Sequence, residues 1–139
     1  MKIGYTTGTF DMFHIGHLNI LRQAKAMCDH LIVGVSTDEL VREYKHKSPI
    51  IPFEERMEIV RAIRYVDEVV PQVNRDKIGA YKRYGFDVMF VGDDWRGNPL
   101  FNEVEEYLKQ HNASVVYFSY TKGVSSSDLR DKILKEHAD

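Results

Sequence analysis

The chain has 139 residues, 43% hydrophobic and 29% charged, which is the composition of one ordinary globular domain with a sizeable core. Its formal net charge of −2 argues against a general affinity for nucleic acid or for an anionic membrane surface. The single cysteine, Cys28, cannot form an internal disulfide, and no signal peptide or membrane-spanning apolar run is found. We therefore expect a cytoplasmic protein.

The segment after the first predicted strand is the most informative part of the sequence. Residues 3–7 predict a strand, and the spacing of Leu18, Leu21 and Ala24 predicts a helix from about Gly16. If the first turn begins by His14, then His14 and His17 share one face and can donate two hydrogen bonds to one anion.

Other features of the same segment favour a phosphate ligand. Gly16 allows phosphate to approach the backbone, and free N–H groups at a helix start attract anions. The histidine spacing alone also fits a zinc half-site or two surface histidines. Joined to the strand and to the turn at residues 8–11, it predicts a site for the phosphates of a nucleotide.

The rest of the chain alternates apolar runs with helical patterns, as βαβ units do. Further strands are predicted at residues 31–35, 66–70, 88–91 and 114–118, and helices at residues 53–64, 77–84, 102–111 and from Ser126 or Ser127 to about Lys135. Near-continuous apolar strands separated by helices indicate a parallel sheet covered on both faces. We predict an α/β fold with a Rossmann-like, doubly wound sheet of about five strands, forming a single domain over residues 1–139, with its site at the carboxyl ends of the strands.

Basic residues follow the second predicted strand. Lys45 and Lys47 fall in a predicted extended loop, where alternate residues point the same way, so both ammonium groups are expected to face one polyphosphate. A solvated loop is the alternative. Arg56 and Arg64 lie on or beside the next helix, and the apolar surroundings of Arg64 predict partial burial and a bound anion. Surface exposure or an ion pair are the alternatives for both arginines.

Two later loops also carry polar residues that suit a nucleotide site. The fourth predicted strand is followed by Gly-Asp-Asp-Trp, in which Trp95, the only tryptophan, is expected to close over a base or ribose. Residues 120–127 are rich in glycine and hydroxyl groups and open the last predicted helix, so they form a second candidate anion site.

These segments together resemble the HxGH nucleotidyltransferases, and among them the cytidylyltransferases, in particular the small glycerol-3-phosphate cytidylyltransferases of teichoic-acid and capsule synthesis. The resemblance covers essentially the whole chain. It implies transfer of CMP from CTP to a small phosphorylated alcohol, with Mg²⁺, in a homodimer. Phosphocholine, phosphoethanolamine or a pentitol phosphate are alternative acceptors.

The resemblance also implies roles for individual residues. His14 and His17 stabilise the transition state, Lys45 and Lys47 contact phosphates, and Arg56 and Arg64 are anion ligands. Asp11 lies beside the phosphates and is the predicted protein group near the magnesium ion. Nucleoside and polyphosphate contacts are implied for Thr9, Phe10, Gly16, Asp94, Trp95, Thr121, Ser125 and Ser126.

The sequence departs from the family pattern in its last motif. Tyr120 stands where the family has arginine, and Lys122 stands where it has glutamate. Two interpretations are open: a phosphate ligand has moved to a new position in the sequence, or the acceptor differs from glycerol phosphate. The run Ser125 to Leu129 also resembles archaeal FAD synthetases of the same superfamily, which keeps an adenylyltransferase as the alternative. A non-catalytic nucleotide-binding module on the same fold is the alternative from outside enzymology.

Overall fold

Five parallel strands form the centre of the structure, in the order β3-β2-β1-β4-β5. The structure, a computed structural model, describes residues 1–119 and 125–137, with side chains described as far as residue 135. The strands are β1 (Ile3–Gly8), β2 (His30–Ser36), β3 (Glu68–Gln72), β4 (Val88–Gly92) and β5 (Ser114–Phe118). The doubly wound parallel sheet predicted from the sequence is thus confirmed.

Helices cover both faces of the sheet. They are α1 (Ile15–Ala26), α2 (Asp38–Lys45), α3 (Phe53–Arg61), α4 (Lys77–Tyr84), α5 (Pro99–Gln110) and α6 (Ser126–His137). Leu21 of α1 and Val60 of α3 are fully buried in one core cluster, and Phe101 and Leu108 of α5 are buried in a second cluster with Ala80 of α4. In the part of the chain that the structure describes, no helix is long and apolar enough to cross a membrane.

Strand β1 is the central strand, and the strand order reverses there. Thr6 is opposite Val33 of β2 and Phe90 of β4, and its hydroxyl donates to the Phe90 carbonyl at 3.0 Å. The strands β2 and β3 lie on one side of β1, and β4 and β5 lie on the other. A crevice forms at the carboxyl ends of the strands where such an order reverses, which is where open α/β sheets bind ligands.

One helix, α2, was not predicted from the sequence. The Thr37 hydroxyl caps it by accepting from the Leu40 amide at 3.2 Å, and only Leu40 and Val41 among its residues are buried. Five of its eight residues are charged and only two are buried, so the sequence has too few apolar residues to distinguish this helix from a polar loop.

Helix ends differ from prediction at two other places. Helix α3 ends at Arg61 instead of residue 64, and β3 begins at Glu68 instead of residue 66. Helix α5 begins at Pro99 instead of residue 102, because Asn98 caps it by accepting from the Leu100 amide at 2.9 Å and proline suits the first helical position.

Candidate active site

A cleft of about 780 Å³ opens at the carboxyl ends of the central strands. It brings together most of the residues that the sequence singles out. Those that line it are Thr9, Phe10, Asp11, His14, Gly16, His17, Lys45, Lys47, Asp94, Trp95, Ser125 and Ser126. Thr121, with its neighbours Tyr120 and Lys122, lies outside the described residues.

The two histidines form a reciprocal cap at the start of α1. His14 is the N-cap residue, one position before the helix, and its Nδ1 accepts from the Gly16 amide at 3.0 Å. The Nδ1 of His17 accepts from the His14 amide at 3.2 Å. The imidazole rings stack at 3.9 Å between centroids. The sequence predicted that the first turn of the helix begins by His14, whereas His14 lies one position before it. Capping, and not a shared helix face, therefore aligns the two rings.

This cap fixes the protonation pattern of both rings. A backbone N–H can only donate, so each Nδ1 must carry a lone pair, and in the neutral ring the proton lies on Nε2. The Nε2 atom of His14 is buried and has no partner among the described residues. A buried donor without a partner is costly unless a ligand accepts from it.

Both imidazoles are neutral near pH 7. Burial and, to a smaller extent, the adjacent His14 lower the pKa of His17 to about 4. Burial also lowers the pKa of His14. Neutral rings with Nε2–H groups act as hydrogen-bond donors and do not need to gain a proton first.

The turn between β1 and α1 holds these rings in place. Phe10, which is 6% exposed, adopts a φ of 56°, and its ring meets the His17 ring edge-on at 5.3 Å. Met12 also has a positive φ, of 49°. Non-glycine residues with positive φ are uncommon and indicate backbone strain that the surrounding structure maintains, which is frequent at functional sites. Phe10 thus supports His17 from the core as well as lining the cleft.

Asp11 is a buried anchor for two other segments. Its carboxylate accepts from the amides of Ile50 and Ile51, both at 2.9 Å, and Arg130 of α6 lies 3.5 Å away. Its backbone carbonyl accepts from the Ser126 hydroxyl. Asp11 therefore joins the loop after α2 and the start of α6 to the histidine turn.

These contacts bear on the expected magnesium ion. The Asp11 carboxylate is already bonded to two amides, and within residues 1–119 and 125–137 no group of three or more His, Cys, Asp or Glu side chains could hold a metal ion. These residues fit poorly as a protein cage for Mg²⁺. The ligand role of Asp11 stays a prediction.

Lys45 and Lys47 line the cleft, but not on an extended loop. Lys45 is the last residue of α2, and His46 after it adopts the left-handed conformation with φ 58°. The turn at His46 ends the helix and leads Lys47 to the same cleft. The prediction that both face one site is thus consistent with the structure, while the geometric reason given for it was wrong.

Arg56 is buried away from the cleft. It is 1% exposed, and its guanidinium donates to the carbonyls of Ile51 at 2.8 Å, Thr9 at 2.7 Å and Ser36 at 2.8 Å, and to the Asp38 carboxylate at 2.6 Å. These contacts use its donors within the protein. The interpretation of Arg56 as a ligand anion contact is corrected: its anion is Asp38.

Arg64 is exposed and does not line the cleft, so the predicted burial was wrong. Because α3 ends at Arg61, the following turn carries Arg64 outward, where its guanidinium donates to the Tyr65 hydroxyl at 3.1 Å. Ile63 and Val66, the apolar residues near Arg64 in the sequence, pack against the core, whereas the Arg64 side chain does not.

Trp95 and Asp94 also line the cleft, on a single 3₁₀ turn (Asp93–Trp95) after β4. The Trp95 ring is half-buried and packs on Phe101 at 5.1 Å. The exposed Asp94 carboxylate has no partner among the described residues, so it is able to accept from a ligand. This placement is compatible with contacts to a base or ribose.

Residues of the last helix complete the cleft. The Ser125 hydroxyl accepts from the Asp128 amide at 3.0 Å, as a helix cap does, and Ser126 is bonded to Asp11. Arg130 lines the cleft, and its Nε is buried with no partner among the described residues.

Comparison with known proteins identifies this arrangement. The Cytidylyltransferase-like family model matches residues 5–132. The chain belongs to this family. The match includes the histidine turn, both lysines, Asp94 and Trp95, so the whole cleft of this cytidylyltransferase-like protein lies within the family's shared region.

Individual relatives agree with this. The chain is 38% identical over 134 residues to glycerol-3-phosphate cytidylyltransferase of Bacillus subtilis, covering 96% of this chain and 98% of that one. It is 42% identical over 118 residues to FAD synthase of Thermococcus kodakarensis, covering 81% and 76%. The crystal structure of a lipopolysaccharide core biosynthesis protein from Thermoplasma volcanium has the same fold, with a TM-score of 0.76 at 23% identity, covering 88% and 99%.

The sequence analysis missed several residues of this cytidylyltransferase-like cleft. They are Thr7, Tyr44, Arg75, Lys77 and Arg130. Tyr44 pairs with the Thr9 hydroxyl at 3.0 Å, and Lys77 donates to the Thr7 hydroxyl at 2.9 Å. Arg75 and Lys77 directly follow β3, so the rule that ligands bind at the carboxyl ends of parallel strands offered a signal for these two residues.

Proposed function

We propose that this protein transfers CMP from CTP to a small phosphorylated alcohol and releases pyrophosphate, with glycerol 3-phosphate as the first acceptor to test. The observation that carries this is the pair of stacked neutral imidazoles, His14 and His17, with their Nδ1 atoms held by backbone amides. Two fixed Nε2–H donors suit an α-phosphate on which negative charge grows in the transition state.

The reaction needs position and positive charge more than proton transfer. A phosphate oxygen of the acceptor attacks the α-phosphorus of CTP, the bond from α-phosphorus to the bridging oxygen breaks, and pyrophosphate leaves with the electron pair. The acceptor phosphate is ionised near neutral pH, so no general base is required. His14 and His17 donate at the α-phosphate, and Lys45 and Lys47 attract the β- and γ-phosphates.

Further groups hold the nucleotide in this proposal. Asp94 and Trp95 contact cytosine or ribose, and Ser125 and Ser126 lie beside the polyphosphate with the start of α6. Magnesium enters as the counter-ion of CTP, held mainly by phosphate oxygens and water, as this ion prefers.

The decisive experiment is pyrophosphate release by the purified protein from CTP, and separately from ATP, with a panel of phosphorylated acceptors. We expect release from CTP with glycerol 3-phosphate and the corresponding CDP-alcohol as product. Release from CTP with phosphocholine, phosphoethanolamine or a pentitol phosphate instead would keep the reaction and change the acceptor. No release from CTP with any acceptor would refute the proposal.

A second candidate is adenylyl transfer from ATP to flavin mononucleotide. It is favoured by the 42% identity to an FAD synthase. Turnover of ATP with flavin mononucleotide that equals or exceeds turnover of CTP would establish it. Binding of nucleotide without turnover in any combination would favour a regulatory module, although such a module has no need of two aligned histidines.

We further propose a cytoplasmic homodimer that serves cell-surface polymer synthesis. The lone cysteine is compatible with a reducing compartment, and glycerol-3-phosphate cytidylyltransferases make an activated alcohol for such polymers. Sedimentation equilibrium of the pure protein checks the dimer, since a mass near that of one chain at all concentrations would contradict it.

A further inference from the structure

Two cations of the cleft, Arg75 and Lys77, have no part in the cytidylyl transfer described above. The Lys77 ammonium donates to the Thr7 hydroxyl at 2.9 Å. The Arg75 guanidinium carbon lies 4.8 Å from the Tyr44 ring centroid and 5.4 Å from that of Trp95. Across residues 1–119 and 125–137, no carboxylate forms an ion pair with either cation.

The nearest carboxylate in sequence is occupied elsewhere. Asp76 caps α4, and its Oδ1 accepts from the Gly79 amide at 2.9 Å. Burial, together with the charge of Arg75, lowers the pKa of Lys77 to about 8. A partly buried ammonium beside another cation, with one neutral hydroxyl as its partner among the described residues, is unfavourable for the protein alone. An anionic ligand would offset this cost.

These cations and the histidines lie on different sides of β1. Side chains alternate along a strand, so Thr7 shares a face with Tyr5, which is buried in the core cluster under α4 and α5. The α1 helix that follows His14 packs in the other cluster, with Leu21 and Ala24. Arg75 and Lys77 therefore lie on the other side of β1 from the histidines, and Arg75 shares the Tyr44 ring with Lys45.

We propose that Arg75 and Lys77 form an acceptor-binding subsite that binds an anionic group and rejects an acceptor carrying an ammonium group. This inference rests on the proposed cytidylyl transfer and narrows its acceptor class. 3-Phosphoglycerate suits such a subsite because it carries a carboxylate besides the phosphate that reacts. Glycerol 3-phosphate brings only neutral hydroxyl groups, whereas phosphocholine and phosphoethanolamine bring a positive charge toward two others. Like charges placed together in an interface suppress the wrong partner strongly.

The test compares kcat/KM for glycerol 3-phosphate, 3-phosphoglycerate and phosphoethanolamine, which are similar in size and differ in charge. With CTP fixed, we expect the wild type to use phosphoethanolamine about a hundredfold less efficiently than the better of the other two. Lys77→Gln should raise the KM for the preferred acceptor about tenfold, leave the KM for CTP unchanged, and reduce the discrimination against phosphoethanolamine.

Controls separate a binding role from a structural one. Lys82→Gln removes the same charge from an exposed position of α4 outside the cleft and should change none of these constants. Lys77→Arg should retain the discrimination. Because Lys77 is desolvated, Lys77→Gln is expected to melt at the same temperature as the wild type or higher in the absence of ligand.

The results that would contradict the subsite differ from those that would contradict the proposed function. Unchanged acceptor constants in Lys77→Gln would overturn the inference while cytidylyl transfer stands, and a raised KM for CTP alone would reassign the cations to the nucleotide. If the wild type turns over no acceptor with CTP, the proposed function itself fails. In that case, binding of 3-phosphoglycerate measured by calorimetry still decides: equal affinity in wild type and Lys77→Gln refutes the subsite.

Discussion

At the scale of single residues, the cap formed by His14 and His17 determines what each imidazole can do. Their Nδ1 atoms are engaged by backbone amides, so the chemistry falls to Nε2. The same two hydrogen bonds that begin α1 therefore also orient the donors. Loss of either ring removes a cap and a donor together.

His14→Ala and His17→Ala should each lower turnover about a hundredfold or more, because the removed donor acts on charge that develops in the transition state. The cost to stability should be about 1 kcal/mol, as for a lost helix cap. Steady-state rates and urea unfolding check this. His111→Ala, an exposed position outside the cleft, is the matched control. A folded His17→Ala with near wild-type turnover would contradict the catalytic role.

The depressed pKa of His17 predicts an acid-sensitive fold. In the unfolded chain histidine takes up a proton near pH 6.5, whereas in the folded protein the pKa of His17 is about 4. Between these values the unfolded state binds more protons, so stability is full above about pH 6.5 and is lost as pH falls toward 4. Urea midpoints between about pH 7 and 5 should fall more steeply for the wild type than for His17→Gln. Parallel curves would show that burial does not suppress protonation.

At the scale of secondary structure, α2 is a short helix that places Lys45, its last residue, in the cleft. Its two ends are set by single residues: Thr37 caps the start, and His46 ends it in the left-handed conformation. Helices this short are marginal on their own, so the cap contributes strongly to their persistence.

Thr37→Ala should lower the free energy of unfolding by about 1 kcal/mol, because the Leu40 amide loses its acceptor. It should also raise the KM for CTP severalfold, since fraying of α2 displaces Lys45. Thr37→Ser keeps the accepting oxygen and serves as the control. An unchanged KM in Thr37→Ala, alongside reduced stability, would show that Lys45 does not hold the nucleotide.

Sequence patterns predicted the helices and strands that bury apolar side chains at regular spacing. The α4 helix at residues 77–84 and the β5 strand at residues 114–118 agree with prediction, because apolar side chains at regular spacing leave few alternatives. The α2 helix was not predicted because most of its side chains are charged. The positions of the two arginines could not be predicted for a different reason. Arg64 is exposed because α3 ends before it, and Arg56 is buried because carbonyls distant in the sequence accept from its guanidinium. Neither feature produces a periodic pattern in the sequence.

At the scale of the whole molecule, Arg56 links segments that are far apart in the chain. Its guanidinium joins the end of β1 at Thr9, the end of β2 at Ser36 and the start of α2 at Asp38. These segments meet beneath the cleft, so one buried cation holds the cleft floor.

Arg56→Met should destabilise the protein by about 3 kcal/mol or more, because three carbonyls and the Oδ1 atom of Asp38 lose the guanidinium that donates to them. Urea unfolding measures this. Adding Asp38→Asn should recover part of the loss, since it removes the charge that has lost its cation and keeps an acceptor for the Phe53 amide. Arg61→Met, which breaks only an exposed pair with Glu58, should cost less than about 0.5 kcal/mol. Equal costs for both arginines would contradict the role of Arg56.

The position of β1 in the sheet has a consequence for how the chain reaches this structure. The bonds from Ile3 to Asp87 and from Thr6 to Phe90 each connect residues 84 positions apart. The sheet's central pairing therefore closes a loop that contains α1, β2, α2, α3, β3 and α4, and a long loop must lose much of its freedom before such contacts compensate. Folding is expected to be slow compared with helical domains of this size, and the half-formed sheet exposes an unpaired edge of β1 while it waits for β4.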